Sequence, residues 1–222
     1  MEDNNTTPLL PSKGLEIALH GMGTCADIDL VVPNNVTTIY EHAFDGANIK
    51  SLYIPKSVTT INESAFWSCN QLETIEIAKD NPIYHSANNC IIETSTKTLI
   101  QGIANSIIPT DGSVEHIGNG AFMFQAKLTI DIPFGVKSIE NGAFAFSRLQ
   151  HISIPTSVKK IDSSVFHFCN LHEIMFKGTT QQWYAIEKGE NWQGRPISHQ
   201  KNKFIVYCND GKLTICQKNL ND

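Results

Sequence analysis

His167, Cys169 and His172 are the residues whose types and spacing most resemble a metal site. Imidazole nitrogens and thiolates are typical zinc ligands, and a structural zinc site holds four of them in a tetrahedron. These three residues occupy different positions of a repeating pattern, with Cys169 at an inward turn position and His172 on the following strand. We therefore expect the side chains to diverge, and we predict neither a metal site nor a bound cofactor.

A disulfide is the next chemistry that the cysteines suggest. Cys208 and Cys216 flank an Asn-Asp-Gly sequence that is typical of a hairpin turn. With Asp210 and Gly211 as the two turn residues, the cysteines would be offset by roughly 10 Å along the strands. Disulfide-bonded residues have Cα atoms within about 7 Å, so the pair is too far apart. We predict free thiols at all six cysteines: Cys25, Cys69, Cys90, Cys169, Cys208 and Cys216.

No motif of a known catalytic site stands out in the chain. Gly118–Phe122 has two glycines but lacks the lysine and the further glycine of a phosphate-binding loop. Neither a nucleophile elbow nor a His-Glu-x-x-His sequence occurs. The 8 histidines and 22 carboxylates include no pair at a spacing that marks a general base. We therefore expect a protein that is not an enzyme.

Composition narrows the possible partners. The chain has 222 residues, of which 41% are hydrophobic and 18% charged, and its net charge is −5, so it lacks the basic patches that bind nucleic acid. Its longest apolar run, residues 204–208, is far shorter than the about 20 residues of a membrane span. The N-terminal residues show neither the positive nor the apolar segment of a signal peptide. We expect no nucleic-acid binding and no membrane insertion. Either the chain is a trimmed form of a longer one, or it is not exported by that route.

The elements that position these residues come from an internal repeat. Pro33, Val36, Ile39 and Phe44 recur 22 residues later as Pro55, Val58, Ile61 and Phe66. The same frame returns in residues 133–144 and 155–166, and in 109–122 with two extra residues. A period between 20 and 50 residues is typical of a solenoid.

Each repeat predicts one coil of such a solenoid. In residues 49–54 apolar and polar side chains alternate as in a short strand, and the proline that follows ends it. Stacking coils at about 4.8 Å pairs each strand with the next and joins the apolar columns into one core. The phenylalanine columns are thus predicted to be core rather than a ligand site. Cys69 and Cys169 stand three residues after the phenylalanine, which predicts packed, inward thiols.

Two segments depart from the period. Residues 90–93 and 98–100 are apolar runs around a polar turn at 94–97, which predicts a hairpin inserted in one coil. After residue 177 the frame stops, and Trp183 and Trp192 are interpreted as core residues of a terminal cap. The predicted organisation is an N-terminal lead and cap at 1–27, a solenoid at 28–177 with the hairpin insertion 78–106, and a C-terminal cap at 178–222.

The repeat resembles a known family. Its frame, Leu-x-x-Ile-x-Ile-Pro-x-x-Val-x-x-Ile-x-x-x-Ala-Phe-x-x-Cys, as in residues 49–69 and 149–169, is similar to that of the BspA-like leucine-rich repeat proteins. The resemblance spans about residues 28–216 and includes the hairpin and the cap. It implies an α/β-solenoid, a right-handed leucine-rich repeat coil of short parallel strands with one hairpin insertion and a C-terminal hairpin cap. It also implies a non-enzymatic binding protein, located on the cell surface or secreted, that takes part in adhesion.

The candidate binding residues are the outward side chains of the strands. When the strands are aligned on the prolines, they form a row: Val31, Tyr53, Glu76, Ile107, Asp131, Ser153 and Met175. Beside the row stand Lys50, Glu73, Thr129, His151 and His172. We expect this face to bind a host or cell-surface protein or glycan, including extracellular-matrix ligands, with Tyr53 and Met175 as anchors. A structural scaffold or spacer without a discrete ligand site is the alternative, and it predicts the same mixture of residues.

Overall fold

The structure is a computed structural model that describes residues 28–126, 129–195 and 203–217. The expected N-terminal lead and cap at 1–27, which includes Cys25, lies outside the described residues. The expected C-terminal cap is described except for residues 196–202 and 218–222.

One side of the coils, here called the strand-bearing face, carries the longer strands in two sheets. The first sheet contains β1 (Ile28–Val31), β3 (Ile49–Ile54) and β5 (Thr74–Ile77). The second contains β10 (Ile130–Asp131), β12 (His151–Ile154), β14 (Glu173–Phe176), β16 (Lys203–Cys208) and β17 (Gly211–Cys216). Neighbouring strands are parallel except β16 and β17, which form an antiparallel hairpin.

The second side, the short-strand face, also carries two sheets. One pairs β2 (Thr38–Ile39) with β4 (Thr60–Ile61). The other contains β6 (Tyr84–Ala87), β7 (Cys90–Glu93), β8 (Thr98–Gly102), β9 (His116–Ile117), β11 (Ser138–Ile139), β13 (Lys160–Ile161) and β15 (Glu187–Lys188). The expected hairpin within residues 78–106 thus contains β7 and β8, and β6 adds a third antiparallel strand. The insertion joins the short-strand face because β8 pairs in parallel with β9 of the next coil.

The third side, the turn-bearing side, consists of tight turns around the phenylalanines. The amide of Phe122 donates to the carbonyl of Ala143 in the next coil at 2.7 Å, and that of Phe144 donates to Val165 at 3.1 Å. The Phe122 and Phe144 rings are fully buried and stack with centroids 5.5 Å apart. The predicted phenylalanine columns are therefore core. Each turn reverses through left-handed residues, as at Gly142, where φ is 60°.

The hairpin supplies side-chain partners for the strand ends that lack a following strand. On the strand-bearing face, the amides of Ile75 and Ile77 in β5 donate to Asn89 Oδ1 at 3.2 Å and to Ser86 Oγ at 3.0 Å. On the short-strand face, the amide of Ile61 in β4 donates to the hydroxyl of Tyr84 at 3.1 Å. Since a strand edge carries hydrogen-bonding groups that need partners, these side chains end both sheets at the same coil.

The C-terminal cap closes the last coil with aromatic side chains and one helix. Helix α1 (Thr180–Tyr184) begins at a capping box, in which Thr179 Oγ1 accepts from the Gln182 amide at 3.2 Å. It is the only helix of the described residues, so helical structure is confined to the cap. Trp183 is 1% exposed and its ring lies 5.7 Å from that of the partly buried Trp192, in agreement with their interpretation as cap core.

The register of the terminal hairpin differs from the prediction. Cys208 pairs with Gly211, so Asn209 and Asp210 are the turn residues rather than Asp210 and Gly211. The Asp210 carboxylate accepts hydrogen bonds from the amide and hydroxyl of Thr180 at 2.7 and 3.0 Å, which holds the turn against α1. The free thiols of Cys208 and Cys216 are unaffected by the correction, because Cys208 ends β16 at the turn and Cys216 ends β17 at the far end of the hairpin.

Gln125 allows a test of how the turn column is packed. It is fully buried, and neither polar atom of its amide has a hydrogen-bond partner among the described residues. Because an unpaired buried polar group costs about 1–3 kcal/mol, Gln125→Met, which keeps the shape, should raise the free energy of unfolding by about 1 kcal/mol. Gln101 is also buried, but its side-chain amide donates to the Gly102 carbonyl at 2.6 Å. Gln101→Met should therefore lower the free energy of unfolding. Thermal and urea unfolding of both variants measure the difference, and equal shifts would contradict the assignment.

Asn89 allows a test of how the hairpin ends the first sheet. Asn89→Gly should remove the acceptor of the Ile75 amide at no backbone cost, because the residue has a φ of 63° that glycine tolerates. We expect hydrogen exchange at the Ile75 amide to accelerate about tenfold, the factor that corresponds to about 1.4 kcal/mol. Asn88→Gly is the matched control, since Asn88 has a φ of 49° and an exposed side chain. Equal protection of Ile75 in both variants would contradict the role of Asn89.

Candidate interaction surface

The strand register places the predicted row in two groups on the strand-bearing face. Tyr53 pairs with Val31 on one side and Glu76 on the other. Ser153 pairs in the same way with Asp131 and Met175. Since register neighbours on one face of a sheet lie side by side, each group forms a continuous line of outward positions. Ile107 belongs to no strand, and its amide donates to Asn88 of the hairpin coil at 3.2 Å.

The row combines exposed apolar side chains with acidic ones. Val31 is 64% exposed, Ile107 68% and Met175 47%. Glu76 and Asp131 are also exposed, and Tyr53 is half-buried. A large apolar side chain held in water by a rigid sheet is the usual anchor of a protein interface. The row is therefore the candidate contact surface of the described residues.

Ser153 does not share the exposure of its neighbours. It is only 7% exposed, and its hydroxyl has no hydrogen-bond partner among the described residues. The short side chain lies between the larger Asp131 and Met175 in the sheet register, and they shield it from solvent. Our expectation that every row residue presents its side chain to solvent is corrected at this position.

The terminal hairpin extends the strand-bearing face by two strands, β16 and β17, and sequence reasoning missed that they join this sheet. In the register of β14 with β16, Tyr207 lies beside Met175 and Ile205 lies beside Glu173. All three of Met175, Tyr207 and Ile205 are at least partly exposed, so they form an apolar patch at this end of the face. The alternation of residues 204–208 was the available signal, but it was assigned to a separate cap rather than to the next coil.

Ionisable side chains beside the row contact one another across neighbouring strands. His151 Nδ1 lies 3.0 Å from Glu173 Oε1, across the register of β12 and β14. His172, which we expected beside the row, is exposed just before β14 and meets the His151 ring edge-on at 5.9 Å. Lys50, Glu73 and Thr129 are exposed at the edges of this face. The histidines and carboxylates thus pair across neighbouring strands at the surface.

The three metal-like residues point to different sides of the coil. Cys169 is fully buried, and its thiol donates to the Phe144 carbonyl of the preceding coil at 2.9 Å. His167 lies on the turn-bearing side, where its ring accepts a hydrogen bond from the Arg195 amide at 3.3 Å. His172 lies at the strand-bearing face. Within the described ranges, no three histidine, cysteine or acidic side chains are grouped as they are around a metal ion.

The buried thiols are chemically inert. Burial is the largest cause that raises the pKa of Cys69 and of Cys90 to about 12 and that of Cys169 to about 11. Since the thiolate is the nucleophile, a thiol with such a pKa does not react at neutral pH. Cys69 repeats the geometry of Cys169, because its thiol donates to the Phe44 carbonyl at 2.9 Å. The prediction of packed, inward thiols is confirmed at this column.

Stacked coils with parallel strands in register, buried aliphatic columns and a turn-bearing side define a leucine-rich repeat solenoid. The family model of the BspA type leucine rich repeat region matches six copies, over residues 16–108 and 100–185. The chain therefore belongs to the BspA-type leucine-rich repeat family. No curated protein matches it.

Two solved structures share the fold. A leucine-rich repeat protein from Eubacterium ventriosum is 24% identical with a TM-score of 0.56, and the match covers 77% of this chain and 54% of that one. The pneumococcal vaccine antigen PcpA is 17% identical with a TM-score of 0.58, over 82% of this chain and 53% of PcpA. The chain thus corresponds to about half the length of each neighbour. No helix in the described part of the chain is long and apolar enough to cross a membrane.

The raised thiol pKa values predict a loss of stability in alkali. Cysteine has an ordinary pKa of 9.0, so above that pH the unfolded chain releases protons that the folded chain retains. The stabilising contribution is complete below pH 9 and is lost as the pH rises towards 11–12. The melting temperature should therefore fall as the pH rises from 9 to 11 under reducing conditions. The fall should be smaller in the double variant Cys69→Ala, Cys169→Ala.

The exposed Cys216 provides the control for the thiol prediction. In the native protein a thiol reagent should modify Cys216 quickly and leave Cys69, Cys90 and Cys169 unmodified until the chain unfolds. Cys216→Ser should remove the fast reaction and leave the alkaline loss of stability unchanged. Fast native labelling of Cys69 or Cys169 would contradict their burial.

Proposed function

We propose that this protein is a non-enzymatic interaction module that binds a protein partner through its strand-bearing face. The partner is a host or cell-surface protein, including proteins of the extracellular matrix, and the module acts in adhesion at a cell surface or after secretion. The observation that carries the proposal is the strand-bearing face, on which the exposed apolar residues of the row are mixed with acidic ones.

The apolar members of the row supply the anchors. At the C-terminal end, Met175 and Tyr207 lie side by side and can be covered together by one partner. At the N-terminal end, Val31 and Tyr53 form a similar pair. In protein interfaces a few such side chains carry most of the binding energy, and polar neighbours exclude water around them. Tyr, Met and other large side chains are enriched at these positions.

The acidic members of the row favour a partner with a basic surface. Glu76 and Asp131 are exposed on this face, and the whole chain has a net charge of −5. A basic patch on the partner would therefore accelerate its association and fix its orientation. Binding through such pairs weakens as salt is added, since exposed charges are screened.

The scaffold favours recognition over chemistry. The backbone of each coil is bonded to the next, so the outward residues are held at fixed spacing by a core that does not depend on them. The histidines and carboxylates of this face lie at the surface of a sheet, whereas general acid–base catalysis needs groups that converge on one reacting atom. Membership of a leucine-rich repeat family agrees with a binding role.

Replacement of the anchors tests the proposal. The variant Tyr53→Asp, Met175→Asp adds a charge at each end of the row without touching the core. We expect it to weaken binding at least tenfold, because each buried anchor contributes about 2 kcal/mol or more. The measurement is surface plasmon resonance against a panel of purified extracellular-matrix proteins, with circular dichroism to show that the fold is kept.

Tyr184 provides the matched control for the anchors. It is 70% exposed on the cap helix and belongs to no strand of the strand-bearing face, so Tyr184→Asp should bind like the unmodified protein. Equal loss in the control and the double variant would place the contact elsewhere. Absence of binding to every matrix protein, and to intact host cells, would favour a scaffold or spacer without a discrete ligand site.

A further inference from the structure

The turn-bearing side contains a cleft at the coil that carries the hairpin. It consists of two adjoining cavities of about 380 and 120 Å³, which share Glu63, Ser64 and Asn119 in their walls. Small-molecule sites are typically about 300–1,000 Å³ in volume. The cleft lies on a different side of the coil from the row of outward strand residues, so it is separate from the surface of the proposed function.

The cleft exists because the hairpin coil has no phenylalanine turn. The turn at residues 40–47 is followed directly by that at 62–69, to which Phe44 and Gly46 donate from their amides at 2.8 and 2.9 Å. After the turn at 62–69, the hairpin coil contributes only a short passage around Gly102, whose amide donates to Ala121 at 2.8 Å. A Cβ atom on Gly102 would come within 2.0 Å of the Phe122 ring, so the backbone at Gly102 already packs directly against that ring.

The hairpin replaces the missing coil on two sides but not on the third. On the strand-bearing and short-strand faces, side chains of the hairpin accept from the edge amides of β5 and β4. On the turn-bearing side, the amides of Ser64 and Phe66 have no hydrogen-bond acceptor among the described residues. Both residues line the cleft. The turn at 62–69 thus lacks the following turn that supplies the acceptor of the Phe44 amide one coil earlier.

Trp67 and Met123 form the apolar wall of the cleft. The indole is held in place by the His42 ring, which meets it edge-on at 4.9 Å, and by the Phe124 ring at 5.2 Å. Its Nε1 atom is buried and has no hydrogen-bond partner among the described residues. A buried indole N–H without an acceptor is costly, so this atom marks a place where a ligand oxygen would be stabilised.

The remaining walls are polar and acidic. Asn119 Nδ2 donates to Glu63 Oε1 at 2.9 Å, which orients one carboxylate and one amide towards the same opening. Asn141 lines the larger cavity, and Glu140 lines the smaller one. Burial raises the pKa of the Glu140 carboxyl above its ordinary value. No lysine or arginine lines either cavity, so the cleft repels phosphates and other anions.

We propose that this cleft binds an uncharged glycan, one or two sugar units of which enter between the turns at 62–69 and 118–125. Sugar hydroxyls both donate and accept hydrogen bonds, which matches a lining that combines carboxylates, side-chain amides and unpaired N–H groups. The C–H face of a sugar ring is apolar and packs against an indole. A ligand with only apolar or only acceptor groups would leave part of this lining unsatisfied.

Two substitutions in the cleft test the proposal on the full chain. Trp67→Phe keeps the aromatic packing and removes the indole donor, and Glu63→Gln keeps the shape and removes the charge that strengthens a hydrogen bond. A microarray of neutral oligosaccharides identifies the bound sugar, and isothermal titration of that sugar measures affinity. We expect each variant to bind at least about fivefold more weakly, the loss typical of one hydrogen bond.

Glu41→Gln is the matched control. Glu41 occupies the repeat position of Glu63 one coil earlier, is exposed, and lies in a turn that the next turn covers. It should bind the sugar like the unmodified protein. The variant Tyr53→Asp, Met175→Asp should also bind the sugar like the unmodified protein. A failure of the matrix-protein proposal can therefore be distinguished from a failure of the glycan proposal.

Three results would overturn the proposal. They are an absence of binding to every neutral glycan of the array, sugar binding that survives both cleft substitutions, and binding of a cationic probe such as acetyl-lysine amide in place of sugars. The last result would assign the cleft to a basic side chain of a peptide, held by Glu63 and Glu140.

Discussion

Hydrogen bonding from each coil to the next, on all three sides at once, is the interaction on which the structure depends. A single coil buries too little apolar surface to be stable, and its backbone groups have no partners of their own. Both needs are met only when equivalent residues of successive coils lie in register, as Ile139 of β11 and Ile161 of β13 do. The period of 22 residues is therefore a geometric requirement: one period is one coil.

The insertion shows what happens when this requirement is interrupted. A hairpin that lacks the repeat pattern is inserted between two regular parts of the solenoid. The first sheet of the strand-bearing face and the first sheet of the short-strand face both end there. Polar side chains of the hairpin, Asn89, Ser86 and Tyr84, take the place of backbone carbonyls that the missing strands would have supplied. The buried core divides at the same point, with Ile91 in the N-terminal cluster and Ile92 in the C-terminal one. On the turn-bearing side nothing fills the gap, and a cleft is the consequence.

The success and failure of sequence reasoning follow from the same physics. The phenylalanine columns and the packed thiols of Cys69 and Cys169 could be predicted because equivalent residues surround these positions in every repeat. The turn at Asn209 and Asp210 was misplaced because its register depends on Thr180, a residue far away in the chain that binds the Asp210 carboxylate. Tyr207 was missed because its strand belongs to the next coil of the sheet although it lies beyond the repeat. Ser153 is buried by larger neighbours that only the sheet brings beside it.

The sequence by itself determined the class of fold, the inward columns and the position of the insertion, because these depend on spacing within one repeat and on contacts that every coil repeats. Only the tertiary structure decided which outward side chains are exposed and which polar groups remain unpaired, because these depend on what the adjacent coil presents. Trp67 shows the difference. In the sequence it is a single tryptophan one residue after a core phenylalanine. Its ring lines a cleft only because the next coil has no turn beside it.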